Sequence, residues 1–326
     1  MADRIDLLLR SIDVATSKGL ELGPLASPVV RREMGDIRYI DHVDVDELRA
    51  RYATHDGFDI DAIVPIDYVS GTGSIREAVG EHVVFDYVIA SHIIEHVPDL
   101  IRWLGDIRSV LRDDGVLSLA IPDHQRCFDS LRSPTVTADV IHAHLTSATV
   151  PSPRQVFDHY SSAVAWNGVI AWGVEPPPAE LVPVHSEAEA FARATDVAQS
   201  GEYLDVHCWV FTPTSFTRLL GALGRLQLLA FSLDHCSESI DGEFFVTLRA
   251  TDVATAIVPT VASNGLPGVA SEHATMRSEL LAAQEDRETF CNEVNQMLAS
   301  RSWRVTKPLR DFNRLRSRRL GGRIRG

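Results

Sequence analysis

Residues 83–122 hold a strand–helix–strand pattern that limits the fold more than any other part of the sequence. Two mainly apolar runs, 83–90 and 115–122, have the length and composition of buried strands. Between them, apolar side chains recur at helical spacing, which would give the helix one face for packing on a sheet: Leu100, Trp103, Leu104, Ile107, Val110 and Leu111. Such a unit joins parallel strands by a right-handed crossover, so the sequence predicts an α/β protein.

Strand and helix patterns also alternate on both sides of this unit. An amphipathic helix, rather than a signal peptide, is expected at the N-terminus. Before residue 83 we expect strands at 20–22, 37–43 and 62–69 and short helices at 27–35, 45–52 and 74–79. Late in the chain, a helix at 212–224 precedes strands at 226–235 and 243–250. The resulting sheet would be mostly parallel, with the last strand antiparallel.

The alternation is interrupted by an insertion at 123–206. Helices are expected there at 137–147, 152–166 and 186–200, the last with Ser186 and Glu189 spaced as a capping box. A long insertion after the carboxyl end of a strand is typical of a cap over a binding site. Residues 1–250 are therefore predicted to form one domain that carries a helical cap.

The C-terminal part has a different composition. A linker of low charge is expected at 251–270, followed by a helix at 271–300 whose heptad pattern would allow a coiled-coil dimer. The whole chain has a formal charge of −14, and residues 301–326 alone have a charge of +9. The first 300 residues therefore have a charge of −23. This basic tail, with Trp303 and Leu309, fits an anionic membrane surface or an acidic partner. The alternative is a disordered solubilising tail.

Composition excludes several classes of protein. The whole chain has a pI near 5.3, and the acidity of the first 300 residues argues against nucleic-acid binding by that part. No run of eighteen apolar residues is present, so no transmembrane helix is predicted. Four scattered cysteines without a CxxC pair indicate neither a disulfide framework nor a zinc knuckle. We expect a cytoplasmic protein, with the tail allowing peripheral contact at the inner membrane face.

Acidic residues and a glycine lie where the first strands end. Glu21 and Gly23 end the first strand, Asp41 the second and Asp67 the third. In open α/β sheets the ligand binds at the carboxyl ends of the strands, where a glycine allows close approach and an acid can accept hydrogen bonds from ribose hydroxyls. Other interpretations remain: Glu21 as an ordinary strand-end acid, and Asp41 or Asp44 as a helix N-cap.

These residues resemble the class I S-adenosylmethionine-dependent methyltransferases. Glu21-Leu22-Gly23 matches the first motif of that family, Asp41 its ribose-binding acid, and residues 85–123 its "EHv.d…rvLkpgG" stretch. The resemblance implies a Rossmann-like sheet and S-adenosyl-L-methionine as cofactor. It places the following residues in the cofactor site: Glu21, Gly23, Pro24, Asp41, Asp67, Ser91 and His92. The family has further glycines where this chain has Leu25 and Ser27.

Methyl transfer to a hydroxyl requires a base near the methyl group. The expected candidates follow the fifth strand or precede the return to the sheet: Asp123, His124 and His207. His92 and His159 are further candidates, and Glu95 and His96 lie beside the crevice in the family pattern. For each histidine the alternative is a packing or surface role. No HExxH or other metal-ligand spacing occurs, and no metal site is predicted.

Two functions from different classes follow. The first is methylation, directed at an oxygen, of a glycan or glycolipid precursor, because "SWRVTKPLR" resembles a segment of bacterial proteins of cell-surface polysaccharide assembly. The second is a non-catalytic scaffold or binding module in such an assembly complex, which the glycine-poor loop favours. A nicotinamide dehydrogenase is disfavoured because no GxGxxG follows the first strand.

Overall fold

A computed structural model describes residues 4–54, 58–174 and 177–252. Its main sheet has seven strands in the order β3-β2-β1-β4-β5-β10-β9. These strands are β1 Lys18–Leu22, β2 Asp36–Asp41, β3 Tyr68–Val69, β4 Phe85–Ser91, β5 Leu111–Pro122, β9 Phe231–Cys236 and β10 Glu243–Ala250. All neighbours pair in parallel except β10, which is antiparallel to both β5 and β9. The predicted Rossmann-like sheet with an antiparallel last strand is confirmed.

Helices flank this sheet at most of the predicted positions. They are α1 Arg4–Leu8, α2 Val45–Tyr52, α3 Ile75–Val79, α4 Leu100–Val110, α5 Thr137–Leu145, α6 Pro153–Ser162, α7 Glu187–Ser200 and α8 Pro213–Arg225. Local capping explains several starts. Asp44 accepts a hydrogen bond from Glu47 N at the start of α2, and Asp99 accepts one from Arg102 N at the start of α4. The apolar stripe of α4 is buried against the sheet, as its spacing predicts.

The link between β1 and β2 contains no helix, and the helix predicted at 27–35 is wrong. The segment consists of turns in which the side chain of Glu21 accepts hydrogen bonds from Val29 N at 2.7 Å and Val30 N at 3.1 Å. In a helix that began at Pro28, these two N–H groups would lie in the first turn without an intrahelical acceptor, and the side chain of Ser27 would cap one of them. Val29 and Val30 are buried against the sheet, so this irregular segment covers the face that a helix would cover.

The third strand is shorter than expected and begins later. Only Tyr68 and Val69 pair with β2, and Ile60–Ala62 form one turn of 3₁₀ helix instead of a strand start. Pro65 lies between them and has no N–H to donate to a ladder. The prediction that Asp67 ends this strand is therefore wrong, because Asp67 comes directly before it.

The insertion between β5 and α8 holds α5, α6, α7 and a small three-stranded sheet. This sheet has the order β7-β6-β8, with β6 Val164–Trp166, β7 Val169–Ile170 and β8 Val182–Pro183. The helix predicted at 152–166 ends at Ser162, and its last residues form β6. Asp123 and Phe211, at the two ends of the insertion, form a parallel β-bridge, so the insertion leaves and rejoins the main sheet at one place.

The predicted C-terminal helix at 271–300 and the basic tail lie outside the described residues, as does almost all of the linker. Among the described helices, none is long and apolar enough to cross a membrane.

Candidate functional site

Gly23 and Asp41 lie beside each other at the carboxyl ends of β1 and β2. Leu22 pairs with Ile40, and Gly23 N donates to Ile40 O at 3.0 Å, which continues the ladder to the strand ends. Gly23 has a φ of +60°, a conformation that favours glycine. A Cβ at this position would come within 2.9 Å of Ile93 Cδ1, so the absence of a side chain at Gly23 makes room for the side chain of Ile93, which follows β4.

Asp41 is buried and retains one free acceptor. Its Oδ1 accepts a hydrogen bond from His42 N at 2.7 Å and lies 2.6 Å from His42 Nδ1. Its Oδ2 makes no hydrogen bond within the described ranges. Asp44, rather than Asp41, caps α2. The carboxylate therefore has an oxygen available for a ligand hydroxyl at the strand end next to Gly23.

Glu21, by contrast, is engaged inside the protein. Its side chain is 3% exposed, and both carboxylate oxygens accept backbone N–H groups of the following loop. Burial raises the pKa of Glu21 to about 7, although the two backbone hydrogen bonds oppose this. Pro24 forms the tight turn of the same loop, since its carbonyl accepts Ser27 N at 3.1 Å. Glu21 thus shapes the loop that carries Gly23 and Pro24.

Asp67 lies at the opposite end of its strand from the crevice. Its Oδ2 accepts hydrogen bonds from Tyr39 N at 2.8 Å and from Arg32 at 2.9 Å. Residues that do follow β3 at the crevice edge are Ser70 and Gly71, whose N–H groups donate to Asp41 O and His42 O. Sequence reasoning missed this turn, although the two glycines of "SGTGS" are a signal for it.

Ser91 and His92 end β4 within a network of charged side chains. His92 has a φ of +56° and its Nε2 lies 2.8 Å from Glu243, the first residue of β10. Arg4 reaches the same place from α1, with its Nε 2.7 Å from Glu243 and its Nη2 2.5 Å from Ser91 Oγ. Burial lowers the pKa of His92, but the carboxylates of Glu243 and Glu95 outweigh it and raise the pKa to about 9. At neutral pH His92 is protonated and cannot act as a base.

Sequence reasoning missed Arg4 and Glu243. Neither residue belongs to a recognisable motif, and the N-terminal helix gave only an amphipathic pattern. Glu243 starts the last strand, which lies next to β5 although more than 120 positions separate the two starts in sequence. Only the completed sheet brings these residues to the crevice.

His207 belongs to a buried ion-pair network in the insertion. Its Nδ1 lies 2.5 Å from Asp129 Oδ2, and Arg132 donates to Asp129 Oδ1 at 3.0 Å and to His207 O at 2.9 Å. Burial alone would raise the pKa of Asp129, but His207 and Arg132 lower it to about 2. The carboxylate is therefore ionised and must accept the proton of His207 Nδ1, which leaves Nε2 of His207 free of hydrogen bonds among the described residues.

His207 meets Glu95 and His96, which follow β4. The rings of His96 and His207 are perpendicular with centroids 4.8 Å apart, and Cys208 N donates to Glu95 O at 2.7 Å. One potential ligand atom from each of Glu95, His96 and His207 lies within 4.8 Å of the other two. We refer to these three residues as the histidine cluster. It is linked to the end of β4, because His92 Nδ1 lies 3.4 Å from Glu95 Oε1.

Asp123 and His124 follow β5 but do not join the histidine cluster. Asp123 is buried and accepts Gln125 N at 3.0 Å, which starts a short 3₁₀ turn. His124 is also buried, neither ring nitrogen has a hydrogen-bond partner among the described residues, and burial lowers its pKa. His159 accepts His207 N through Nδ1. Of the predicted bases, the structure thus places His207 in a network that leaves one nitrogen available.

An exposed tryptophan of the insertion lies beside His92. The rings of Trp172 and His92 have centroids 5.4 Å apart, and Trp172 is 39% exposed. The edge of the crevice therefore presents a flat aromatic surface together with charged groups.

Comparison with known proteins finds one matching family model and several similar solved structures. Residues 6–126 match the family model of a methyltransferase domain, which is less than half of the chain. An S-adenosylmethionine-dependent methyltransferase from Mesorhizobium loti is 14% identical, with 76% of this chain and 98% of that chain covered and a TM-score of 0.39. The CcbJ methyltransferase from Streptomyces caelestis is 11% identical, with 76% of this chain and 97% of that chain covered and a TM-score of 0.40. The N-methyltransferase NodS from Bradyrhizobium japonicum is 12% identical, with 76% of this chain and 92% of that chain covered and a TM-score of 0.34.

No curated protein matches the sequence. At these identities and scores the solved structures carry no inference about the substrate.

Proposed function

We propose that residues 6–126, which match the family model of a methyltransferase domain, bind S-adenosylmethionine on the Rossmann-like sheet, and that the chain methylates an oxygen of a glycan or glycolipid precursor. The proposal that the chain binds the methyl donor rests on one observation. Gly23, with its positive φ, lies next to Asp41, whose Oδ2 has no hydrogen bond among the described residues. The proposal for the methyl acceptor depends on the histidine cluster and on Trp172.

The donor would bind at the carboxyl ends of β1, β2 and β4. Asp41 Oδ2 would accept a ribose hydroxyl, and the backbone at Gly23 would approach the methionine part of the cofactor. Ser91 and His92 would form the wall at the end of β4, held there by Arg4 and Glu243. The cofactor supplies a sulfonium methyl group for in-line displacement, and these side chains orient it.

The acceptor would bind between this wall and the insertion. Removal of a hydroxyl proton is the chemical step that protein groups must assist, and His207 is the residue that we propose acts on it. Asp129 orients its ring, so that Nε2 remains available. Trp172 supports a sugar acceptor, because an exposed aromatic ring offers a flat apolar surface for the C–H face of a sugar ring.

Calorimetric titration with S-adenosylhomocysteine tests the donor half. We expect the full chain to bind it, and Asp41→Asn to weaken binding about tenfold or more, because a charge-assisted hydrogen bond contributes about 1.5–3 kcal/mol. Asp46→Asn is the matched control, since Asp46 is an exposed acid on α2. Absence of heat with the wild-type chain would reject cofactor binding and support a non-catalytic scaffold.

Labelled S-adenosylmethionine tests the acceptor half. Glycan and glycolipid precursors would be screened for transferred label, and the expected product carries the methyl group on oxygen. Transfer to nitrogen or carbon, or label on none of the precursors while S-adenosylhomocysteine binds, would reject the proposed acceptor class.

A further inference from the structure

The histidine cluster has the chemistry of a metal-binding site. Two imidazoles and one carboxylate are the three protein ligands of many catalytic zinc sites, in which a fourth position stays open for water or substrate. All three residues come from segments fixed by the fold: Glu95 and His96 from the turn after β4, and His207 from the end of the insertion. The backbone hydrogen bond from Cys208 N to Glu95 O ties these two segments together.

Glu95 is a buried carboxylate that accepts no hydrogen bond from the described residues. It is 2% exposed, and its contact with the charged ring of His92 is long, since His92 Nδ1 lies 3.4 Å from Oε1. Burying a carboxylate costs several kcal/mol unless hydrogen bonds or a closely bound cation compensate it. Its side chain lies within reach of His96 and His207, and a cation between the three would contact the carboxylate more closely than His92 does.

Both histidines are oriented as metal ligands are. His96 Nδ1 lies 2.8 Å from Asp205, and His207 Nδ1 lies 2.5 Å from Asp129. A carboxylate on one ring nitrogen fixes the ring and its tautomer, and leaves the other nitrogen to bind the metal. In both rings the free nitrogen is Nε2, and for His96 this atom lies 4.0 Å from Glu95 Oε1.

We propose that Glu95, His96 and His207 bind one divalent transition-metal ion of the Zn²⁺ type. Ligand atoms around tetrahedral Zn²⁺ lie roughly 3.3 Å apart, so small side-chain rotations from the present separations complete the site. The role of the ion in catalysis rests on the proposed function: an acceptor hydroxyl at the open position would lose its proton to solvent water more readily, because the cation would stabilise the resulting alkoxide. With the ion bound, Nε2 of His207 would be a metal ligand, so His207 would assist this proton loss through the cation and would not itself accept the proton.

Co²⁺ is the probe, because its visible absorption reports coordination geometry. The full chain, stripped of metal by a chelator, is titrated with Co²⁺, and Zn²⁺ is then added as a competitor. We expect one Co²⁺ per chain with the strong absorption of four- or five-coordination, and its displacement by Zn²⁺. His207→Asn and Glu95→Gln should each weaken Co²⁺ binding about 100-fold or more. Asp205→Asn, which removes an outer partner, should weaken it about 10- to 100-fold.

His142→Asn is the matched control, because His142 is an exposed histidine of α5 outside the histidine cluster, and its Co²⁺ affinity should equal that of the wild type. Circular dichroism checks that each variant folds. If Glu95→Gln does not fold, Asp205→Asn carries the test, since its side chain is 73% exposed. Failure to bind Co²⁺, or unchanged affinity in the folded variants, would overturn the metal site.

The metal site and the proposed function fail separately. Binding of S-adenosylhomocysteine without Co²⁺ binding rejects the metal site only. Co²⁺ binding without methyl transfer to any precursor rejects the proposed acceptor and leaves the metal site in place.

Discussion

Two carboxylates at the crevice differ in how many of their oxygens the protein itself uses. Glu21 accepts two backbone N–H groups, one with each oxygen, and therefore shapes a loop. Asp41 receives both of its contacts on Oδ1 and keeps Oδ2 available. The two acids are both candidate ligand contacts in the sequence, and only their hydrogen-bond partners show that Glu21 holds a loop and that Asp41 has an oxygen without a partner among the described residues.

Glu21 should make stability depend on pH. Its pKa is about 7 in the folded protein and 4.5 for an unperturbed glutamate side chain, so between these values the folded state holds a proton that the unfolded state has lost. The free energy of unfolding therefore falls as the pH rises from 4.5 to 7, by about 3 kcal/mol from this group. Urea denaturation at several pH values should show this fall for the wild type but not for Glu21→Gln. Parallel curves for the two proteins would contradict it.

Gly23→Ala should destabilise the protein through its backbone. A φ of +60° costs an L-residue about 1–2 kcal/mol, and the new Cβ would also press on Ile93 Cδ1. Gly105→Ala is the control, because Gly105 lies within α4 with open space at its Cβ, and alanine there should stabilise by about 0.5–1 kcal/mol. Chemical denaturation gives the free energy of unfolding of both variants. Equal changes at the two positions would contradict the conformational role of Gly23.

Most helices and strands could be predicted because their signals are local. The apolar stripe of α4, the N-caps of α2 and α3 and the buried runs of β4 and β5 all lie within a few residues of the elements that they define. The helix expected at 27–35 failed for the opposite reason. Ser27 and Pro28 are good local signals for a helix start, but the carboxylate of Glu21 takes the N–H groups of Val29 and Val30. That competition depends on tertiary structure.

The candidate site was predictable only where it follows strand ends. Gly23 and Asp41 could be found because parallel strands bring their carboxyl ends to one edge. His207 could be named as a candidate base, but its contact with Glu95 and His96 joins positions more than 100 residues apart and depends on the path of the insertion between them. Asp129 and Asp205, which orient the two histidines, carry no motif at all. The sequence shows no metal-ligand spacing for the histidine cluster for the same reason, because its three residues come together only in the folded chain.

The start of α6 should stabilise the insertion. Ser152 Oγ accepts Gln155 N, and the Gln155 side chain accepts Ser152 N, which completes a capping box on the helix that carries Asp158 and His159. Ser152→Ala should lower the free energy of unfolding by about 1 kcal/mol. Ser161→Ala, near the other end of the same helix, removes a hydroxyl without a described hydrogen bond and should change stability little. Urea denaturation compares the two, and equal losses would argue against the cap.

Charge divides the whole chain into an acidic body and a basic C-terminus, and we propose that this tail contacts an anionic membrane. Replacing Arg314, Arg316, Arg318 and Arg319 by glutamine in the full chain should strongly reduce sedimentation with phosphatidylserine vesicles, because each basic residue near such a surface contributes about 1 kcal/mol. Binding of S-adenosylhomocysteine should stay unchanged. Equal sedimentation of the variant and the wild type would reject the membrane role.

The turns that connect β1 to β2 also determine which cofactors the crevice attracts. A helix that starts directly after the first strand points its partial positive charge at the ligand and favours phosphate groups. Within 23–35 this chain has no such helix, and the carboxylate of Glu21 occupies the N–H groups of Val29 and Val30. Dinucleotides, which carry a pyrophosphate, therefore lose their main electrostatic anchor here, whereas S-adenosylmethionine, which carries one carboxylate and no phosphate, loses less.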